Sequence, residues 1–205
     1  MRSLFSILLV LVVWASPLQA KTLLVLGDSL SAAYGLPAEE GWVSLMEQEL
    51  KQRRLADKVI NASISGETSS GGLQRLPRLL ADYRPDLVLL ELGANDGLRG
   101  TPLQVMEQNL RRMVELSQAA GAEVILIGIR IPPNYGPQYT QRFYSIYPDL
   151  AQEYQLPLVP FLLEGVALKP QLMQSDGLHP TAAAQPILLQ TVWPHLVPLL
   201  QSEGY

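Results

Sequence analysis

A chain of 205 residues, 48% of them hydrophobic, is long enough to bury the core of one ordinary domain, and no charge block, low-complexity tract or internal repeat divides it. A net charge of −4 with scattered Lys and Arg leaves no footprint for nucleic acid. The absence of cysteine excludes disulfides, a catalytic thiol and Cys-type metal sites.

The first twenty residues differ from the rest. Arg2 supplies a positive start, residues 4–14 are almost wholly apolar, and Ala15-Ser16-Pro17-Leu18-Gln19-Ala20 ends on a small residue. This is the pattern of a secretory signal peptide with cleavage after Ala20; Leu18 is large for its place in such a site, which leaves Ala15 as an alternative cut. The apolar run is short for a bilayer span and Pro17 breaks it, so export is expected rather than a stable membrane anchor. Loss of the leader removes Arg2 and no acid, and the net charge moves from −4 to −5. Residues 21–205 are expected to form a single domain.

Within that domain short apolar segments alternate with longer helical ones. Strands are expected over 23–26, 59–62, 87–92, 124–129 and 158–161. They are continuous leucine or β-branched runs, as in a sheet covered on both faces. Helices are expected over 42–55, 73–83, 102–120 and 138–154. In the third, Leu103, Met106, Leu110, Met113, Val114 and Leu116 recur at spacings of three and four, and Gly121 supplies a stop. Pro148 predicts a kink or a fresh start in the fourth. The tail, 182–200, is helical in composition but carries Pro186, Pro194 and Pro198, which predicts a helix in pieces. Strands joined by helices mean right-handed crossovers and a parallel α/β sheet in a three-layer α/β/α sandwich.

In such sheets ligands bind beyond the carboxyl ends of the strands. The first strand ends in Gly27-Asp28-Ser29-Leu30, with Ser31 next, and the second leads to Ser63-Ile64-Ser65-Gly66-Glu67-Thr68. The third leads into Gly93-Ala94-Asn95-Asp96-Gly97 and the fourth into Ile131-Pro132-Pro133-Asn134-Tyr135-Gly136. The fifth leads, through a longer connection, to Asp176-Gly177-Leu178-His179-Pro180. Taken singly, each is an ordinary turn or helix start: Ser29 a cap, Gly66 a positive-φ loop residue, Asn95 part of an Asn-Asp-Gly turn. Taken together, they bring to one rim what acyl transfer needs: a hydroxyl, a base, a group orienting that base, and oxyanion donors. His179 stands three residues after Asp176, so a single turn lets the acid hold the imidazole. His195, the other histidine, has no nearby acid and is expected to be an ordinary half-buried residue. No G-x-S-x-G elbow, Walker A loop, G-x-G-x-x-G run or H-E-x-x-H occurs. Ile131, Pro132, Pro133, Asn134 and Tyr135, apolar and stiffened by proline, are expected to wall a substrate site.

The blocks GDSLS (27–31), NASISGETS (61–69), GANDG (93–97) and DGLHP (176–180) resemble, in order and spacing, the four blocks of the SGNH (GDSL) hydrolase superfamily. Within it the similarity is greatest to the periplasmic thioesterases, lysophospholipases and bacterial arylesterases. It spans about 22–200, including GLQRLPRLL and IRIPPNYG. The resemblance implies a flavodoxin-like sheet of mostly five parallel strands. It implies Ser29 as nucleophile, His179 as base and then acid, and Asp176 as the orienting carboxylate. The oxyanion hole would be the backbone N–H groups of Ser29 and Gly66 with the Asn95 amide. Asp28 is then a loop organiser rather than a base. No metal or cofactor is implied. Substrates would be acyl and aryl esters, thioesters (acyl-CoA in vitro) and lysophospholipids, the location periplasmic or secreted, and the chain a monomer. Two departures stand out: Glu67 where Asp is common, expected to perturb its loop, and Ala94 where Gly is frequent, expected to stiffen the approach to Asn95. Residues 75–80 are expected to shift on acyl binding. The rival readings are a carbohydrate O-deacetylase on the same fold and a non-catalytic periplasmic binder of acyl or lipid molecules.

Overall fold

The computed structural model describes residues 21–56 and 58–201. The expected leader and its cleavage site lie outside the described residues. Five strands, β1 (Thr22–Gly27), β2 (Lys58–Asn61), β3 (Leu87–Glu91), β4 (Glu123–Ile127) and β5 (Leu158–Val159), form one parallel sheet in the order β2-β1-β3-β4-β5. Register places Leu23 between Val59 and Leu87. The leucine and β-branched runs form strands because both faces are covered: every side chain from Leu23 to Leu26 and from Leu87 to Leu90 is buried.

Helices α1 (Trp42–Arg53) and α6 (Gln185–Gln201) pack together as one layer. α2 (Ser69–Tyr83), α4 (Leu103–Ala119) and α5 (Pro137–Tyr154) form the other, and a six-residue helix, α3 (Ala94–Arg99), follows β3. α4 buries Met106, Leu110, Met113 and Val114, the stripe its spacing predicts. Among the described residues no helix is long and apolar enough to cross a membrane.

Four elements depart from the sequence reading. α6 is one helix rather than pieces. Its buried stripe is Leu188, Val192, Leu196 and Leu200, whereas Pro186, Pro194 and Pro198 all lie on the exposed side. Pro186 sits in the first turn, where its missing N–H costs no intrahelical bond, and burial of the opposite stripe offsets the bonds lost at Pro194 and Pro198. α5 likewise runs unbroken through Pro148. α2 begins four residues earlier than predicted. Thr68 Oγ1 accepts from Gly71 N at 3.3 Å, and Gly72 lets the helix approach β3 so closely that a Cβ there would lie 2.3 Å from Leu92 Cδ1. β5 stops at Val159: Gly128 N donates to Val159 O at 2.8 Å, but the next bond, to Gly128 O, comes from Leu162 N at 3.0 Å, one residue past the ladder's register, so the chain has left the strand.

Order 2-1-3-4-5 reverses between β1 and β3, which places the crevice of this fold at the ends of those two strands. The Gly27–Ser31 turn and the start of α3 meet there.

Candidate active site

After β1 the chain turns sharply. Asp28 Oδ1 accepts from Leu30 N at 3.0 Å and Ala32 N donates to Asp28 O at 2.9 Å, which presents Ser29 at the rim. Gly27 cannot be replaced cheaply, since a Cβ there would stand 2.6 Å from Glu91 Oε2. Ser31, the second hydroxyl of the motif, points inward, is buried and donates to Glu91 Oε2 at 2.7 Å. Its hydroxyl is thus turned away from the rim at which Ser29 stands.

The loop 173–181 brings the base. An antiparallel bridge between Met173 and Pro180 closes it, Gln174 N donates to His179 O at 2.7 Å, and Gln174 Nε2 donates to Tyr34 O at 2.8 Å. Inside the loop Asp176 Oδ1 accepts from Leu178 N at 2.9 Å and from His179 N at 3.0 Å. Its other oxygen lies 2.6 Å from His179 Nδ1, and His179 Nε2 lies 2.9 Å from Ser29 Oγ. Three of these hydrogen bonds join Ser29, Asp176 and His179, which are 147 and 3 positions apart in the chain. The His179 N–H, with the imidazole and the Leu178 N–H, holds the Asp176 carboxyl down to about 2. Tyr34 covers the imidazole, ring centroids 4.4 Å apart.

The expected oxyanion donors are the backbone N–H groups of Ser29 and Gly66 and the Asn95 amide. Gly66 sits at φ +80° in a tight turn in which Glu67 N donates to Ile64 O at 3.0 Å. Among the described residues neither the Ser29 nor the Gly66 backbone N–H has a hydrogen-bond partner. Asn95, in the first turn of α3, donates from Nδ2 to Glu67 O at 3.0 Å and to Asp28 Oδ2 at 3.2 Å. Asp28 is buried, and burial pushes its carboxyl up to about 6 against the opposing pull of Leu30 N, His179 and Asn95. Glu67 does not disturb its loop as expected: its length lets it pair with Arg75 Nη2 at 2.6 Å, while Arg75 Nη2 also donates to Ala62 O at 2.9 Å. At position 94 the alanine simply opens α3, and the conformational demand falls on Gly93, at φ +121°.

Two adjoining clefts open at this rim. One, of ≈ 160 Å³, runs past Ser29, Asn95 and His179 against Leu98, Ile131 and Leu163. The other, of ≈ 570 Å³, shares Arg130, Ile131, Pro132, Leu163 and Leu178 with it and continues past Pro133 and Phe161. Asn134 and Tyr135, expected as substrate contacts, line neither. Tyr135 instead braces α3, its hydroxyl donating to Leu98 O at 3.0 Å. Residues 75–80 line neither cleft and lie within α2, with Leu76 and Leu80 buried. Leu98, Arg130, Leu163 and Tyr34 carry no local signal in the sequence that ties them to the site; Tyr34 stands three residues past the first block, among small and apolar residues. His195 is half-buried on α6, away from the rim.

A model of the GDSL-like lipase/acylhydrolase family matches residues 25–186. The chain belongs to that family. Esterase TesA of Pseudomonas aeruginosa is 52% identical over 192 residues, which cover 94% of this chain and 96% of the relative. An arylesterase of Vibrio mimicus is 49% identical over 197 residues, covering 96% and 98%. Thioesterase 1/protease 1/lysophospholipase L1 of Escherichia coli is 48% identical over 185 residues, covering 90% and 88%. Among solved structures of the family, TesA superimposes with a TM-score of 0.84 at 53% identity, over 87% of this chain and 99% of that one. Esterase EstA from Pseudoalteromonas sp., inhibited by monoethylphosphonate, does so with 0.83 at 47%, over 89% and 100%. The GDSL hydrolase fold carries the five-stranded parallel sheet expected from the sequence.

Proposed function

We propose that this protein is a serine ester hydrolase that cleaves carboxylic esters and thioesters through an acyl-enzyme on Ser29. The observation that carries the reading is the 2.9 Å and 2.6 Å relay from Ser29 Oγ through His179 to Asp176. His179 Nε2 takes the Ser29 proton as the hydroxyl attacks the acyl carbon, and Asp176 stabilises the imidazolium. The oxyanion forms against the Ser29 and Gly66 N–H groups and one N–H of Asn95. His179 then gives its proton to the departing alcohol, or, once a thiolate has left, to that thiolate or to solvent. The neutral imidazole takes a proton from a water that attacks the acyl carbon, and returns it to Ser29 Oγ as the acid is released.

Leaving groups set the scope. A thiol, with a pKa of about 8.5, departs with little protonation, whereas an alkoxide needs the His179 proton. Thioesters and aryl esters are therefore the easiest substrates, alkyl esters intermediate and peptides poor. Two adjoining clefts lined by Leu98, Ile131, Pro132, Leu163 and Leu178 support an acyl chain rather than an acetyl group. The names of the relatives, esterase, arylesterase and thioesterase/lysophospholipase, agree with this class. With the leader read from residues 1–20, the site of action is the periplasm, the chain works as a monomer, and lysophospholipids or other exogenous acyl esters fit better than coenzyme A thioesters.

A fluorophosphonate probe tests the proposal. The wild type is labelled and Ser29→Ala is not; an unlabelled wild type that still binds long-chain acids would make the protein a binding module. A series of p-nitrophenyl esters then fixes the class: an optimum at acetate, rather than at longer chains, would favour a deacetylase.

A further inference from the structure

Glu91, the last residue of β3, is wholly buried a few ångströms beneath the turn that carries Ser29. Its Oε2 accepts from Asp28 N at 3.2 Å and from Ser31 Oγ at 2.7 Å. Its Oε1 is equally buried and has no hydrogen-bond partner among the described residues. Among the described residues no Lys, Arg or His pairs with it. Ionised buried carboxylates are found paired or fully hydrogen-bonded, and Glu91 is neither.

We propose that Glu91 is a positioning residue, a neutral carboxylic acid that ties the nucleophile turn to the sheet and leaves the local negative charge to Asp28. The two carboxyls share one buried space, yet they are not equivalent. Asp28 has a donor on each oxygen, Leu30 N on one and Asn95 Nδ2 on the other, and His179 stands nearby. Glu91 faces Asp28 from the β1 turn and the phenol of Tyr147 from α5, whose hydroxyl donates to Leu92 O at 3.0 Å; neither supplies positive charge. Burial, reinforced by Asp28, accordingly raises the Glu91 carboxyl well above the ordinary range. A proton on Glu91 leaves one hydrogen bond unmade; a charge there would stand bare beside a second carboxylate. Neutrality also suits the chemistry. It keeps a second anion from opposing the oxyanion that forms just above, while the acceptor still fixes the Asp28 N–H and Ser31.

The function of this strut rests on Ser29 as nucleophile; its protonation does not, and the test separates the two. Infrared difference spectra of wild type against Glu91→Gln at pH 7.5 are expected to show the carbonyl band of a protonated carboxyl group in the wild type alone, whether or not the enzyme turns over. Glu91→Gln, permanently neutral and of the same shape, is expected to keep kcat within about twofold and an unshifted pH profile. Because the folded protein holds a proton there that the unfolded chain releases above about pH 4.3, wild-type stability falls as pH rises past that point, and the variant lacks this decline. Glu91→Leu is expected to lower kcat by about 10- to 100-fold with KM little changed, since only the turn is released. Ser31→Ala, which removes a single contact and folds readily, lowers it by a smaller factor. A carboxylate band in place of the acid band overturns the proposal. So does a pH–stability curve of Glu91→Gln parallel to that of the wild type, or full activity in both Glu91→Leu and Ser31→Ala. Failure of Ser29 labelling with the acid band present would instead sink the hydrolase reading alone.

Discussion

Asn95→Ala separates two tasks of one amide. Nδ2 carries two hydrogens and both are engaged, at 3.0 Å to Glu67 O and at 3.2 Å to Asp28 Oδ2. One of the two must be redirected as charge grows on the oxyanion, and the bond to the neutral Glu67 carbonyl gives way more readily than the charge-assisted one to Asp28. Loss of one oxyanion donor costs about a hundred- to a thousandfold in kcat, or roughly 2.7–4 kcal/mol of transition-state stabilisation. Truncation also deprives the buried Asp28 carboxylate of one of its two neutral donors, which costs folding stability of about 1–3 kcal/mol. The expected outcome is therefore a kcat lower by about two to three orders of magnitude, KM within about threefold, and a lower urea midpoint. Steady-state kinetics on a p-nitrophenyl ester and a urea titration at pH 8 measure all three. If KM rises while kcat falls less than about tenfold, Asn95 binds substrate and does not stabilise the transition state. If the urea midpoint stays put, the Asp28–Asn95 bond contributes nothing to the fold.

Asp176→Asn keeps the shape of the carboxylate but not its charge, and kcat for an alkyl ester is expected to fall by about 10⁴, with KM little changed. Because folding lowers the Asp176 carboxyl from 3.8 to about 2, the stability it adds is present above pH 4 and lost as pH falls towards 2. The gap between wild-type and Asp176→Asn melting temperatures should close over that window and nowhere else. Gly93→Ala puts a Cβ 2.4 Å from Tyr147 Oη at φ +121°; strain of that kind costs about 1–3 kcal/mol before any clash. Its urea midpoint should drop, and adding Tyr147→Phe should recover only the clash. Pro194→Ala, on the exposed side of α6, restores one backbone N–H and should stabilise by up to about 3 kcal/mol. An unchanged midpoint would mean that the helix has already adapted to the proline.

The sheet was legible because its strands are continuous apolar runs that only a doubly covered sheet accommodates. The four motif blocks were legible because each closes a strand. Asp176 and His179 could be paired from their spacing alone, a single turn. What could not be read were properties of neighbours distant in the chain. The prolines of α6 signal breaks to any local rule, and only the burial of Leu188, Val192, Leu196 and Leu200 against the rest of the fold shows why the helix persists. Residues 75–80, expected to shift on acyl binding, could not be seen from the sequence to be the middle of a helix that starts at Ser69.

The sequence by itself thus determined the strand order of events along the chain, the rim on which the polar blocks gather, and which hydroxyl, imidazole and carboxyl were available. The tertiary structure turned Ser31 inward and left Ser29 at the rim, kept Asn134 and Tyr135 out of the clefts, and set Glu91 under the Ser29 turn with no counter-charge among the described residues. The physical reason is one of range. Periodicity and turn chemistry act over a few residues and are written locally. Desolvation and hydrogen-bond geometry depend on what the fold brings within about 3 Å from segments far apart in the chain.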